Sequence, residues 1–441
     1  MMKRYSAACL IAALLLPSLS AARAQEQSSA LPEPFMLYHE RMVKGDYLGL
    51  LLDLQRLEEK YKAAPQRRDS FLQLMSVVES QVGDYATAHA YLDQFFSQQE
   101  QPEKDLSKSP IDDYQPRNAI DVIRSVASKQ QVIMINEEHD TPMHRAFTTR
   151  LLPVLYAKGF RYLAAETLAD TDLELNKRGY PTHKSGFYLA DPVYGDMIRT
   201  ALKLGFKVVP YEYIPRNCKN PPEHPDYCQN ERERGQAQNL YDRIFRQDPQ
   251  AKVLVHVGRG HNQEINAGTF AMMGWHFKGI TKIDPFTINQ MHMSERSRPE
   301  YEAALYRYAV NRWRITEPTV FQSKDGKLWG ELGNDLVVFH PRTRYDRGRP
   351  TWLQMGGRRK PVLLDGKVGN HRAPPFVNAA GGPVLVQAFV ASEGADAIPI
   401  DQIVVTNPKA ALVLVLPRGK FRVRAVSEAG KVISEQMLTM N

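Results

Sequence analysis

The spacing of apolar positions changes along the chain, and each change predicts a different kind of element. Residues 34–97 carry apolar residues at helical intervals, and Gly-Asp-Tyr occurs twice, at Gly45–Tyr47 and Gly83–Tyr85. Each copy precedes helix-favouring residues, as in "GDYATAHAYLDQFF". This resembles part of a tetratricopeptide-type helical hairpin, with too few repeats for a free-standing array, so a helical layer packed on the next domain is expected. "SQQEQPEKDLSKSP" at 97–110 is polar and reads as a linker. From about 117 to 345, helical and strand patterns alternate. "NAIDVIRSVAS" is amphipathic, and "QVIMIN" is a continuous apolar run, the signature of a strand covered on both faces. A helix over 142–158 follows, capped by Asp140 or Thr141, started by Pro142, with a kink or break expected at Pro153. "RYLAAE", "KVVPYE", "KVLVHVG", "ITKID" and "DLVVFH" read as further strands, with helices near 194–204, 231–247 and 299–313. The alternation predicts an α/β fold: a mainly parallel sheet with helices on both faces. The tail changes again, to short strands such as "PVLVQAFVA", "ALVLVLP" and "KVISEQMLTM", which predict a small antiparallel β-sandwich. The expected divisions are a leader at 1–24, helical hairpins and linker at 25–110, the α/β domain at 111–355, a connector at 356–373 and the β-sandwich at 374–441.

The leader is assigned by composition. Lys3 and Arg4 precede the apolar "CLIAALLLPSLSA", and "AARA" offers a cleavage site after Ala24. This is the pattern of a secretory signal peptide, and its apolar run is too short to span a bilayer. The mature chain is therefore expected in the periplasm or outside the cell, without a transmembrane segment, and without a lipid anchor because no cysteine follows the apolar run. Hydrophobic content of 43% and charged content of 24% are those of a globular protein, and 441 residues suffice for two or three domains. The formal charge of +8 falls to +5 once Lys3, Arg4 and Arg23 leave with the leader. No basic stripe is interleaved with aromatics, so nucleic acid is not an expected partner. Cys218 and Cys228 bracket the Pro-rich "KNPPEHPDY" and are expected to form a disulfide in an oxidising compartment. A two-thiol metal site is the weaker reading.

Charged residues gather at the predicted strand ends. The first strand runs into Glu137, Glu138, His139 and Asp140, with His144 and Arg145 in the next helix. The others end at Glu166, at Glu212, at "GRGH" with His261, and at Asp284. Ligands bind outside the carboxyl ends of strands in open parallel sheets, so these residues are expected to converge. Side chains alternate along a strand, so Glu137 and His139 share a direction and Glu138 takes the other. Two histidines with carboxylates can hold a divalent metal that activates water, and a histidine oriented by a carboxylate can deprotonate water without one. Plainer roles compete: a solvated strand end for Glu137 or Glu138, packing for His144, a core hydrogen bond for Glu212, and a turn for Asp284 before Pro285. Arg145 can neutralise a carboxylate or bind an anion. The arginines of "HPRTRYDRGRP", Arg342 and Arg344 among them, read as a solvated rim or as forks that recognise a carboxylate or phosphate. "MHM" around His292 is a loop or a soft-metal or haem ligand.

These residues resemble a known group. "NEEHDTPMH" resembles the Gly-Glu-x-His-Asp-x-Pro-x-His opening of ChaN-like haem-binding proteins, and "VLVHVGRGH" the Gly-x-x-His strand end shared with the TIKI/TraB proteins. Glu166 matches the strand-end glutamate of these and of the erythromycin-esterase group. The resemblance covers about residues 117–290, with Asn136 in place of the first glycine. It implies Glu137, His139, Glu166 and His261 as catalytic residues and His139, Glu166 and His261 as ligands of any metal, with His144 matching the ChaN-like pattern. His144 and, by their own charge, Arg145, Arg342 and Arg344 are the candidates for substrate contact. Three functions stay open: an exported hydrolase of esters or amides on a small-molecule or peptide substrate, metal-assisted or metal-free; a haem- or iron-ligand-binding envelope protein; and a non-catalytic scaffold whose helical hairpins bind a protein partner. The cofactor stays undecided between a divalent metal, haem and none.

Overall fold

The computed structural model describes residues 31–97, 99, 109–364, 367–368, 371–372, 382–407 and 412–441. The expected leader and most of the expected linker lie outside the described residues.

Four helices open the fold: α1 (Pro34–Met42), α2 (Tyr47–Lys62), α3 (Pro65–Gln81) and α4 (Tyr85–Phe95). The two Gly-Asp-Tyr copies occupy the α1–α2 and α3–α4 turns. Gly45 and Gly83 take φ of +66° and +89°, a region costly for residues with a Cβ. Asp46 then caps α2 through the Gly49 N–H at 3.0 Å, and Asp84 caps α4 through the Thr87 N–H at 3.1 Å. The tyrosine of each copy starts the helix and is buried. One tripeptide thus supplies turn, cap and anchor. The helical layer does not stand alone, because Ala190 and Leu385 from the later domains complete its core.

The α/β part follows in the order β1 (Tyr114–Asn118), α5 (Ala119–Ala127), β2 (Val132–Glu137), α6 (Pro142–Ala157), β3 (Tyr162–Ala165), α7 (Leu175–Arg178), α8 (Pro192–Leu204), β4 (Lys207–Pro210), α9 (Tyr227–Leu240), β5 (Val253–Gly258), α10 (Met273–Thr281), β6 (Phe286–Asn289), α11 (Ala304–Trp313), β7 (Thr319–Ser323) and β8 (Leu336–Val337). Six strands form one parallel sheet in the order β4-β3-β5-β2-β6-β8, while β1 and β7 pair antiparallel. Helix α6 continues through Pro153, so of the kink or break expected there the break does not occur. "ITKID" is not a strand: Thr281 ends α10, and the fifth run is "FTIN", which pairs with β2 from Ile133↔Phe286 onward. Asp284 therefore precedes β6 instead of ending a strand, and it is exposed and paired with Lys278 at 2.5 Å.

Helices cover both faces, and the strand alternation divides the core between them. Ile133, Ile135, Leu163, Ala165 and Leu254 pack against α5, α6 and α8. Val132, Met134, Ala164, Val253, Val255 and Val257 pack against α9 and α10. Continued to the strand ends, the same parity sends Glu137 and His256 to the α6/α8 side and Glu166 to the α9 side.

The tail begins with the short hairpin β9 (Tyr345–Asp346) and β10 (Arg349–Pro350). Next come β11 (Arg359–Leu363), the pair β12 (Lys367–Val368) and β13 (His371–Arg372), β14 (Val384–Val390), β15 (Asp401–Val405), β16 (Val413–Pro417), β17 (Gly419–Ser427) and β18 (Val432–Met440). A four-stranded antiparallel sheet, β15-β14-β17-β18, shares one core with the β11–β16 ribbon. Strand β11 lies in the stretch expected to be a connector, so that stretch supplies part of the domain instead of leading to it.

Candidate functional site

The carboxyl edge of β2, β3, β4 and β5 brings two sets of ionisable groups together. The sheet register aligns Glu137 with Gly258 and Ala165 with His256.

The first set lies on the α6/α8 side. Glu137 is 2% exposed, and Arg145 from α6 grips it with Nε on Oε2 and Nη2 on Oε1, both at 2.6 Å. His256 Nε2 is 2.7 Å from Glu137 Oε2, and His139 Nδ1 is 3.0 Å from Oε1. Burial opposes ionisation of Glu137, but Arg145, His256 and the His139 hydrogen bond hold its carboxyl well below the usual range. The ionised carboxylate accepts from His139 Nδ1–H, which selects the tautomer with a lone pair on Nε2. That Nε2 has no hydrogen-bond partner among the described residues, and the His139 side chain is 12% exposed.

The second set lies on the α9 side. Glu166 Oε1 accepts from Arg232 Nη2 at 2.8 Å, and Glu166 Oε2 accepts from the Gly258 N–H. Arg232 also reaches Glu212 through Nε at 3.0 Å and Nη2 at 2.8 Å, and its Nη1 is 3.1 Å from His261 Nε2. His261 Nδ1 is 2.8 Å from Glu233 Oε2. Burial opposes charge on His261, yet Glu233 and Glu166 overcome it and raise its pKa. Burial likewise opposes ionisation of Glu166, but His261, Arg232 and His139 bring it down to about 2.

The two sets meet over Gly258. A Cβ there would lie 2.6 Å from His139 Nε2 and 2.7 Å from Glu166 Oε2, so only glycine lets them approach. Directly behind the edge, Thr167 and Arg259 hold φ of +61° and +42°. Non-glycine residues in this region cost on the order of 1–3 kcal/mol each, and such strain concentrates at functional sites.

The structure therefore brings Glu137, His139, Glu166 and His261 into one cluster. It gives the other candidates different work. His144 is 1% exposed, accepts from the Glu138 N–H at 3.1 Å and faces Ser294 Oγ at 3.2 Å, so it is a satisfied core histidine and cannot meet substrate. Arg145 is spent on Glu137, with Asp191 3.5 Å from Nη1, and supports the site instead of contacting substrate. Arg342 is forked onto Glu302, and Arg344 is exposed with no side-chain hydrogen bond to the cluster among the described residues. Arg349, read with the solvated rim, is buried against Asp401 at 2.6 Å. Glu138 turns away to Arg259 Nε at 2.8 Å. His292 pairs with Glu331, and Met293 is buried with Tyr306, so "MHM" is not a ligand pair. Cys218 and Cys228 are joined.

The metal reading fits poorly. Among the described residues, no group of three His, Cys, Asp or Glu side chains is arranged to hold an ion. The cause is Arg232: its guanidinium lies against both Glu166 Oε1 and His261 Nε2, so two of the three candidate ligands already face a fixed cation.

The sequence reading missed His256, Arg232 and Glu233. His256 was hidden inside an apolar strand, where only its parity with Glu137 marks it. Arg232 and Glu233 sit in "ERERGQ", a charge run that reads as a solvated helix face, although both are buried. Among the described residues, no helix is long and apolar enough to cross a membrane.

No family model matches the chain, and no curated protein matches it. Several solved structures are similar in part. The type III effector HopBA1 shares 15% identity at a TM-score of 0.30, over 43% of this chain and 92% of its own. A structure described as bacterial protein toxins shares 11% at 0.30, over 51% of this chain and 46% of its own. RRSP, a MARTX toxin effector domain from Vibrio vulnificus CMCP6, shares 12% at 0.27, over 64% of this chain and 49% of its own.

Proposed function

We propose that the chain is a hydrolase of an ester or amide in which His139 is the general base. The observation that carries this reading is the fixed His139–Glu137 pair, 3.0 Å at Nδ1, with Nε2 left without a protein partner among the described residues. A water proton passes to His139 Nε2 as the water oxygen bonds to the carbonyl carbon and the carbonyl electron pair moves onto oxygen. Glu137 stabilises the imidazolium that forms, and Glu166 adds negative charge close to the same ring. Arg232 places positive charge across Gly258 from the imidazole, where it favours the oxyanion. As the carbonyl reforms, the imidazolium returns its proton to the departing oxygen or nitrogen. Arg232 supplies the cationic charge of this site, so the reading is metal-free.

The test is turnover on an ester and peptide panel, including p-nitrophenyl acetate, with and without chelator. His139→Ala is expected to lose about 10²–10⁴-fold in rate with the fold retained, and chelator to change nothing. A His139→Ala variant as fast as wild type overturns the reading. A haem titration with a histidine-dependent Soret shift and no turnover replaces it with ligand binding.

A further inference from the structure

Tyr188 covers one face of the His139 imidazole, with ring centroids 3.9 Å apart and planes 16° from parallel. Its place is unusual in being fastened from outside the α/β domain. Tyr188 opens a one-turn helix, Tyr188–Ala190, just before α8. On its amino side, Phe187 packs on Tyr38 with centroids 4.4 Å apart, and the Phe187 carbonyl accepts from the Tyr38 hydroxyl at 3.1 Å. On its carboxyl side, the Ala190 carbonyl accepts from the Tyr47 hydroxyl at 2.8 Å. Asp191 follows, capping α8 through the Tyr194 N–H at 2.7 Å and lying 3.5 Å from Arg145. Tyr38 and Tyr47 are 3% and 1% exposed and belong to the core of the front helices.

One hydrogen bond to Glu137 sets where His139 Nδ1 points but leaves the ring plane loose, because the χ2 torsion of histidine is broad. A flat stack against a second ring supplies the missing constraint. We infer that Tyr188 is a positioning residue for His139, and that the front helices hold it through Tyr38 and Tyr47, which makes the helical layer part of the support of the site. The catalytic side of this inference rests on His139 being the base.

The experiment uses the full chain and two readouts. Ethoxyformylation of His139 by diethyl pyrocarbonate, followed by peptide mass spectrometry with exposed His224 as reference, needs no substrate. Hydrolysis of p-nitrophenyl acetate reports kcat and KM. Tyr188→Phe keeps the stack and should match wild type within about twofold in both. Tyr188→Ala, or Tyr188→Leu should the alanine variant unfold, should label His139 severalfold faster. Its kcat should fall on the order of tenfold with KM little changed, since a misplaced group costs rate more than binding. Tyr47→Phe should raise His139 labelling part of the way. Unchanged labelling in the Tyr188→Ala and Tyr188→Leu variants, or an equal change in Tyr188→Phe, overturns the positioning role. Unchanged labelling in Tyr47→Phe overturns the part given to the helices. Should His139→Ala keep wild-type hydrolysis while Tyr188 still governs labelling, the hydrolase reading fails and the positioning stands.

Discussion

Arg145 forks onto Glu137 with two hydrogen bonds of 2.6 Å, and neither side chain is more than 2% exposed. Removing one member of such a pair leaves a buried charge without a counter-ion, which costs about 3–5 kcal/mol. Arg145→Ala is therefore expected to lose that much in denaturant unfolding. Arg145→Met with Glu137→Gln should lose less than the two single losses combined, because the double change removes both charges. Additive losses would show that the two residues do not act as a pair.

Gly258→Ala tests the closeness of the two halves of the site. The added methyl would meet His139 Cε1 at 2.4 Å and Glu166 Oε2 at 2.7 Å. Overpacking of this kind costs about 1–3 kcal/mol in stability. The expected outcome is a folded protein with hydrolysis reduced at least as far as in His139→Ala. A variant of wild-type rate would mean that His139 and Glu166 need not converge.

Acid stability should depend on buried neutral histidines. Burial, with Arg150 nearby, holds His340 down to about 3. In the unfolded chain a histidine titrates near ~6.5, so between these values the unfolded state binds more protons and stability falls as pH falls. The contribution is complete above pH ~6.5 and fades at about 1.4 kcal/mol per pH unit toward acid. Asp140 and Glu79, each raised to about 7, chiefly by burial, act in the opposite sense over the same range. The prediction is therefore read as a difference: wild type should lose more stability than His340→Gln between pH 7 and 5. Parallel curves would refute it.

The Cys218–Cys228 disulfide closes a short loop, with a sequence separation of 10. Chain-entropy reasoning gives a loop of that size about 3 kcal/mol. Replacing both cysteines with serine should lower stability by up to that amount and open the 215–226 segment to limited proteolysis. Identical protease fragments before and after reduction would show that the bond constrains nothing there.

Local pattern alone placed several parts of this protein. Gly-Asp-Tyr marks two helix starts because turn, cap and first buried contact are short-range properties. "VIMIN", "LAA" and "VLVHV" declare themselves as doubly covered strands because each is continuously apolar, and the charges at their ends mark the edge where Glu137, Glu166 and His261 lie. Tertiary structure decided the rest. "ITKID" and "FTIN" are both short runs of mixed apolar and polar residues, and only pairing with β2 selects the second. Glu137 and Gly258 face each other through sheet register, which no local signal encodes. Arg232 and Glu233 look solvated on a charged helix until α9 packs on the sheet and carries them to Glu166 and His261. The metal reading turned on that packing: the sequence lists potential ligands, but only the fold places a guanidinium against two of them, and a fixed positive charge at that distance repels the cation the ligands would otherwise attract.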